Sequence, residues 1–504
     1  MALAKVQTFV LQGIEALPCD VEVDSVGRGN NATVLVGLAQ AATKESVERT
    51  RRAIQNSGHP VPRGRVLINL APADLKKEAA ALDLAISVGL MRCTGSIATD
   101  LHRNYLIAGE LALDGRVRPI RGGLSMAMLA RDLGKTGVIL PADNVREAAV
   151  VDGVEVVPVA TLAQVVSFLN EDEDGPTPYE LDPTDEDDAH ADAAPDFADV
   201  RGQEAVKRVV AIACAGRHNL AMIGPPGTGK TMLAKRMGGI LPPLSRREAL
   251  ETTRIYSAVG QLPPGVSLLR ERPIRMPHHS ATAQALVGGG SIPRPGECSL
   301  AHHGILFLDE LPEFGRSVLD MLREPLEGGE ITVSRVHASV KFPADFMLVA
   351  AMNPSVRGDA GPGGQRDDRY LSRLSGPLLD RIDLHVEVPK VGYDELSRKR
   401  SGTDSATLRE LVVKARRRQR ERFDGDPAMT NARMAGRVLN ELVPLEGPTL
   451  LLLKQAMEEL GLSARAYDKV RRVARTIADV DDKDEVAVEH VAEAVGYRLL
   501  DRRP

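Results

Sequence analysis

Tryptophan is absent from this 504-residue chain, and aromatic residues make up only 3% of it. A surface that binds single strands by stacking bases needs aromatic faces, so the composition argues against a protein of that class. Cysteine is scarce too: Cys19, Cys93, Cys214 and Cys298 lie far apart, with no CxxC pair. That spacing suits neither a zinc knuckle nor a disulfide framework, and the four read as reduced thiols of a cytoplasmic protein. No apolar run reaches membrane-spanning length, and the opening MALAKVQTFVLQGIEALP lacks a secretory signal's apolar core and cleavage pattern. A general excess of positive charge is also missing. The net charge is −5, so any contact with nucleic acid must be local. With 43% hydrophobic and 26% charged residues, the composition is that of a soluble globular protein too long for one core.

The clearest seam is EDEDGPTPYELDPTDEDDAHADAAPDF, residues 171–197, which has no Lys or Arg and many carboxylates. Such a stretch buries little apolar surface and repels itself, so it reads as a disordered linker. Before it, residues 1–170 mix strand patterns (ATVLVGL at 32–38, RVLINLAP at 65–72) with helical ones (TKESVERTRRAIQNSG at 43–58). After it, residues 198–395 repeat strand then helix, the pattern of a parallel α/β sheet. Residues 396–504 read as almost entirely helical.

GPPGTGKT, residues 224–231, follows the apolar strand NLAMI and opens the helix TMLAKRM. Gly224, Pro225, Pro226, Gly227, Thr228 and Gly229 form a loop whose N–H groups face phosphates. Lys230 reaches the β- and γ-phosphates of a nucleotide such as ATP, and the Thr231 hydroxyl ligates Mg²⁺. A second strand, GILFLDE at 304–310, ends in Asp309, placed to hold Mg²⁺, and Glu310, placed to polarise the attacking water. A third, FMLVAAMN at 346–353, ends in Asn353, whose amide suits orienting that water or sensing the γ-phosphate. In LSGPLLDRIDL (374–384), Arg381 either reaches a neighbouring subunit's γ-phosphate or pairs with Asp380 or Asp383. Arg465, near the start of the amphipathic GLSARAYDKVRRVARTIAD (461–479), either folds over the nucleotide as part of a lid or is a surface arginine.

These parts in this order resemble the AAA+ ATPases of the magnesium-chelatase-like branch. The stretch RMPHHSATAQALVGGGSIPRPGECSLAHHGILFLDELPEF (275–314) is specific to that branch, and similarity to the YifB/ComM group covers nearly the whole chain. The resemblance implies an N-terminal Lon-protease-like α+β domain, a central P-loop α/β domain and a C-terminal helical lid domain. It also implies that Asn353 is sensor 1, Arg381 the arginine finger and Arg465 sensor 2, in a homo-hexameric ring. For the activity it implies branch migration of DNA in recombination and natural transformation, with recombination proteins as partners. GELALDGRVRPIRGGLSMAMLARDLG (109–134) tracks the Lon segment around the catalytic lysine, but Ser125 to Ala127 stand where Lon has lysines. KKEAAALDLAIS (76–87) has no serine in the Lon nucleophile's setting. Covalent catalysis needs a nucleophile beside an activating base, so no peptidase activity is expected. Many members of the family this chain resembles carry cysteines between sensor 1 and the finger, which implies a metal-binding stretch there. The stretch here, PSVRGDAGPGGQRDDRYLSR (354–373), has neither Cys nor His, so no zinc is expected there.

EGGEITVSRVHASVKFPADF (327–346) reads as a β-hairpin. Inserts at this place in related rings face the pore, where Arg335, His337 and Lys341 would meet DNA phosphates; otherwise their charges face solvent. The basic run KARRRQRERF (414–423) has charge all round a helix, the pattern of a solvated face, with DNA contact as the lesser alternative. Adjacent residues point in different directions, so the pairs His278–His279 and His302–His303 are read as hydrogen-bonding or nucleotide-proximal histidines and not as chelators of one ion. Two other classes stay open beside the DNA motor: a chelatase-type motor remodelling a protein partner, and an ATP-dependent protease. The N-terminal Lon-like domain disfavours the first and the missing Ser–Lys pair the second.

Overall fold

A computed structural model describes residues 3–26, 32–37, 40–72, 77, 79–181, 195–290, 292–335, 338–354, 374–392, 402–426 and 429–498. The chain is a mixed α/β protein with a parallel sheet at its centre and a helical C-terminal region.

The N-terminal region opens with strands Leu3–Gln12 and Glu15–Val26, paired antiparallel. Arg65–Ala71 joins antiparallel to the second, and Ala32–Val36 lies parallel at the edge. The strands alternate: Val6, Val21, Val23, Ile68 and Leu70 are buried while Lys5 and Leu67 are exposed, so one face is core. Helices Gln40–Asn56 and Asp83–Thr94 lie next in the chain order. Asp83 is fully buried at the head of its helix, where Arg49 and Ser46 donate to its carboxylate at 2.6 and 2.8 Å. A second, parallel sheet is built from Tyr105–Ile107, Gly137–Pro141 and Glu155–Val159. The acidic segment then begins against this region: the Tyr179 N–H donates to Val156 O at 2.8 Å, and Tyr179 and Leu181 pack on its core. Residues 182–194 of that segment lie outside the described residues.

The central sheet has five strands in the order Ile274–Arg275, Ile305–Leu308, Met347–Met352, Leu220–Ile223, Leu384–Glu387, all parallel. Three of them, LAMI, ILFL and MLVAAM, are buried at every position, as a sheet covered on both faces requires. In such a sheet ligands bind beyond the carboxyl ends of the strands. The C-terminal helices share this core. Val470, Val473, Ala474 and Ile477 of helix Ala464–Val480 belong to one apolar cluster with Val209 and Val210 of helix Glu204–Gly216 and with Leu220 and Leu384 of the sheet.

The N-terminal region and the central one are joined by more than chain connectivity. The turn between the first two strands places Ile14 in the apolar cluster that holds Val340 and Phe342 of the hairpin Glu330–Arg335/Ala338–Pro343. Beside it, Ser125 Oγ donates to Ile14 O at 2.8 Å and Arg254 Nε to the same oxygen at 3.2 Å. The Ser125 hydroxyl is thus spent on a backbone carbonyl.

Candidate nucleotide site

The phosphate loop runs from the carboxyl end of Leu220–Ile223 into helix Lys230–Ile240. Gly227 and Gly229 have φ of +78° and +89°, the left-handed region in which a side chain is strained. A Cβ at Gly224 would stand 2.3 Å from Val388 O, so the loop's first turn has no room for one. Pro226 and Gly227 form the exposed tip, and Thr228 is buried below with its hydroxyl donating to Pro225 O at 3.0 Å. Lys230 Nζ points back into the loop, donating to Gly224 O and Pro225 O at 2.6 and 2.9 Å and to Asn353 Oδ1 at 3.2 Å. Burial draws this ammonium below its ordinary pKa, against the pull of Asp309 and Glu310. A buried cation bonded here only to neutral oxygens, at the N-terminus of an 11-residue helix, fits an anionic phosphate group. Thr231 Oγ1 donates to Asp309 Oδ2 at 2.7 Å, so the hydroxyl and carboxylate expected to hold Mg²⁺ face each other. Glu310 follows with φ +53°, its N–H donating to Asp309 Oδ1 at 3.0 Å. Thus Lys230, Thr231, Asp309, Glu310 and Asn353, drawn from three strand ends, meet at one edge of the sheet.

Two residues near this edge lie outside the phosphate loop and the strand-end acids and amide. Gln203 Nε2 donates to Thr228 O at 2.9 Å and to Pro389 O at 3.2 Å, clamping the phosphate loop to the end of the last strand. His279 Nδ1 stands 3.3 Å from Glu310 Oε2. Both contacts join distant segments, and no local spacing announces them.

Arg381 and Arg465 are elsewhere. Asn219, which precedes the phosphate-loop strand, donates its amide to Arg381 O at 2.8 Å. Arg381 is therefore at the amino end of the strand whose carboxyl end carries the loop. Its carboxylate partner is Glu327, not the Asp380 or Asp383 that its sequence neighbourhood suggests. Asp383 instead accepts from the Asn219 N–H at 3.0 Å. Arg465 NH1 donates to Asp380 Oδ2 at 3.1 Å, so it stands at the same far edge. The apolar stripe of its helix is buried against helix Glu204–Gly216 and holds it there, with the arginine side chain exposed. A cavity of about 630 Å³ opens at this edge, lined by Arg217, Arg381, Arg433, Arg465, Lys469 and Arg472 among others. Burial draws the Arg381 guanidinium below its ordinary pKa, and the Arg323 and Arg465 cations add to that.

The hairpin forms with Thr332 opposite Lys341. Lys341 is exposed and pairs with Glu330 at 2.6 Å. Arg335 ends the first strand, its side chain outside the described residues, and His337 lies wholly outside them. So does all but the first residue of the 354–373 stretch in which no zinc is expected. The basic run is largely spent: Lys414 and Arg418 pair with Asp482 at 2.8 and 2.7 Å, and Arg422 with Asp479 at 2.5 Å. The four cysteines are free thiols, and no described helix is long and apolar enough to cross a membrane.

The family model described as magnesium chelatase, subunit ChlI, matches residues 196–396. The one for the C-terminal part of that subunit matches residues 402–498, and a further one for subunit ChlI of Mg-chelatase matches residues 21–144. The chain is 43% identical to a Salmonella typhimurium protein named YifB, over all of this chain and 98% of the relative. It is 41% identical to competence protein ComM of Haemophilus influenzae over the same shares. To the magnesium-chelatase 38 kDa subunit of Rhodobacter capsulatus it is 27% identical, over 46% of this chain and 62% of that one. This family's ATPase core implies nucleotide and Mg²⁺, which the loop geometry fits. The chain belongs to the YifB/ComM family of magnesium-chelatase-like AAA+ proteins.

Proposed function

We propose that this protein is the subunit of a homo-hexameric ATPase that drives DNA through its ring, acting in branch migration during recombination. The observation that carries the reading is the division of the site. Lys230, Thr231, Asp309, Glu310 and Asn353 occupy one edge of the sheet, and Arg381 with Arg465 the other. An arginine stabilises charge on a transferring phosphoryl group only from bonding distance, so these two arginines serve hydrolysis by facing a neighbour's nucleotide. Mg²⁺ would be held by Thr231 and Asp309 and would neutralise charge on the γ-phosphoryl group of bound ATP. Glu310 orients the attacking water, Asn353 and Lys230 hold the phosphate side, and Arg381 arrives from the next subunit.

DNA as the substrate is supported by the kinship with a protein named for competence and by the hairpin, whose Arg335, His337 and Lys341 we assign to phosphate contacts in the pore. The N-terminal region then guides DNA and does not cleave peptides. The test is the ATPase rate of the purified protein with and without forked or four-way DNA, beside Glu310→Gln and Arg381→Ala. Several-fold stimulation by DNA, with both variants dead, is expected. A rate indifferent to DNA removes the motor reading and leaves remodelling of a protein partner, as in the chelatase relatives.

A further inference from the structure

The cavity at the amino edge of the sheet holds one cation that its carboxylates leave over. Arg217 and Arg433 pair with Asp345 at 3.1 and 2.5 Å, and Arg381 pairs with Glu327. Arg465 pairs with Asp380 at 3.1 Å, and Lys469 stands 4.0 Å from Asp383. Asp468, the remaining acid of the lining, faces Arg471 at 3.7 Å. Arg472 meets no carboxylate among the described residues, and its NH1 donates to Ala432 O at 3.2 Å.

Donors without acceptors gather here too. Arg472 Nε is buried and meets no acceptor, and the same holds for Arg381 Nε and the Thr430 hydroxyl, which line the same cavity. Thr430 is only 1% exposed. It precedes the turn Asn431–Arg433 in extended conformation, the position from which a threonine hydroxyl caps a helical turn, yet it makes no such bond. Buried polar groups nearly always have a partner. Arg465, Lys469 and Arg472 recur at helical spacing on one face of Ala464–Val480, and that face runs inward from an exposed Arg465 to a buried Lys469. Arg472 is two turns further in than Arg465, about 10 Å along the axis at 1.5 Å per residue. A guanidinium free of carboxylate, in one cavity with a buried hydroxyl, is a donor set for a tetrahedral oxyanion.

We propose that the inner end of this cavity binds a single phosphate group, with Arg472 and Thr430 as its donors. The site is separate from the phosphate loop, which lies at the opposite edge of the sheet. Where the phosphate comes from rests on the ring reading above; that it binds does not. The sources are orthophosphate cleaved at a neighbour and the terminal phosphate of the neighbour's nucleotide. A γ-phosphate held by Arg381 and Arg465 at the mouth stops about 10 Å short of Arg472, which favours orthophosphate on its way out.

The test is the Kd of radiolabelled orthophosphate, by equilibrium dialysis, for the full-length protein carrying Lys230→Ala, which weakens the phosphate loop as a competitor. Adding Arg472→Met is expected to weaken binding about tenfold or more, and adding Thr430→Val, which keeps the shape, about threefold. Arg472→Lys keeps the charge and recovers part of the loss. No saturable binding, or one Kd with and without these changes, overturns the site. Orthophosphate inhibition of steady-state ATPase, with Lys230 intact, separates the sources. An inhibition constant raised about tenfold by Arg472→Met, at unchanged KM for ATP, assigns the site to orthophosphate. A raised KM at unchanged inhibition constant assigns it to the neighbour's nucleotide, and neither constant moving overturns both. A wild type without ATPase activity overturns the ring reading and leaves the dialysis result to decide this site.

Discussion

Arg465 bonds Asp380 at 3.1 Å, and Asp380 is the residue before Arg381. Two arginines from different parts of the chain thus share one edge of the central sheet. The four-residue strand Leu220–Ile223, roughly 13 Å at about 3.3 Å per residue, separates that edge from the phosphate loop. If a neighbour's nucleotide is their target, two crippled subunits complement each other. Arg381→Ala keeps a complete phosphate loop, and Lys230→Ala keeps a complete finger. Each variant alone is expected to lose about a thousandfold in kcat. An equal mixture is expected to recover up to about a quarter of the wild-type rate, because a head-to-tail interface pairs an intact loop with an intact finger about that often. A mixture as dead as its components would place the function of Arg381 within its own chain.

Glu248 gives a pH dependence with a definite sign. Burial by itself pushes its carboxyl up, but the Arg272 guanidinium, bonded at 3.0 Å to each oxygen, prevails and holds it down at about 2. Its folded pKa is therefore below the unfolded value of about 4.3. The stabilisation is full above pH about 4.3 and is lost as pH falls from there through the folded value. Glu248→Gln keeps an acceptor for the capping box with Ser245 but leaves Arg272 buried without its carboxylate. It is expected to cost about 3 kcal/mol at pH 7 by urea unfolding and to flatten the acid limb of the stability profile. A loss that is the same at pH 3 and pH 7 would sever the link to this ion pair.

Gly13 is where the N-terminal region meets the hairpin. Its φ is +70°, and a Cβ there would stand 2.4 Å from Val340 Cγ1 and 2.9 Å from Phe342. Gly13→Ala meets both a strained backbone and a filled space, so about 2 kcal/mol of destabilisation is expected. Gly134, with φ +66° and open space around it, isolates the backbone share of that cost. Gly134→Ala is expected to cost about half as much. Equal losses at the two sites would mean that the turn does not press on the hairpin.

The phosphate site was legible because its chemistry is contiguous. Eight neighbouring residues make the loop, and each acid or amide ends an apolar run that is a strand whichever way it is packed. The position of Arg465 was not, because an amphipathic helix announces that it has a buried face but not what covers it. The basic run 414–423 looked solvated because the acids that neutralise it, Asp479 and Asp482, lie in another helix and the turn after it. Gln203 carries no such signal for the same reason: it is a single polar residue whose partners, Thr228 and Pro389, are far along the chain. At His302–His303 the rule that adjacent side chains diverge fails, because His303 takes a φ of +57° that histidine seldom adopts.

That turn brings both rings to one carboxylate. His303 Nε2 lies 2.8 Å and His302 Nε2 3.6 Å from Glu251 Oε2, and the ring centroids are 3.8 Å apart. The three ligand atoms fall within 4.8 Å of one another, which invites a metal. The other nitrogen of His302 argues against one. The Asp345 N–H donates to His302 Nδ1 at 3.0 Å, so Nδ1 carries no proton. Burial lowers the pKa of His302 and keeps the ring neutral, which leaves its single proton on Nε2, facing Glu251. A metal ion at Nε2 would have to displace that proton and bind an imidazolate, whereas metal-bound histidines donate from the second nitrogen to an acceptor. The cluster is held by two hydrogen bonds, His303 Nε2 to Glu251 Oε2 at 2.8 Å and the Asp345 N–H to His302 Nδ1. Zn²⁺ in modest excess is therefore expected to leave Tm unchanged in a thermal melt, since only a ligand of the folded state raises it. A rise that grows with Zn²⁺ concentration and disappears in His302→Ala would restore the metal site.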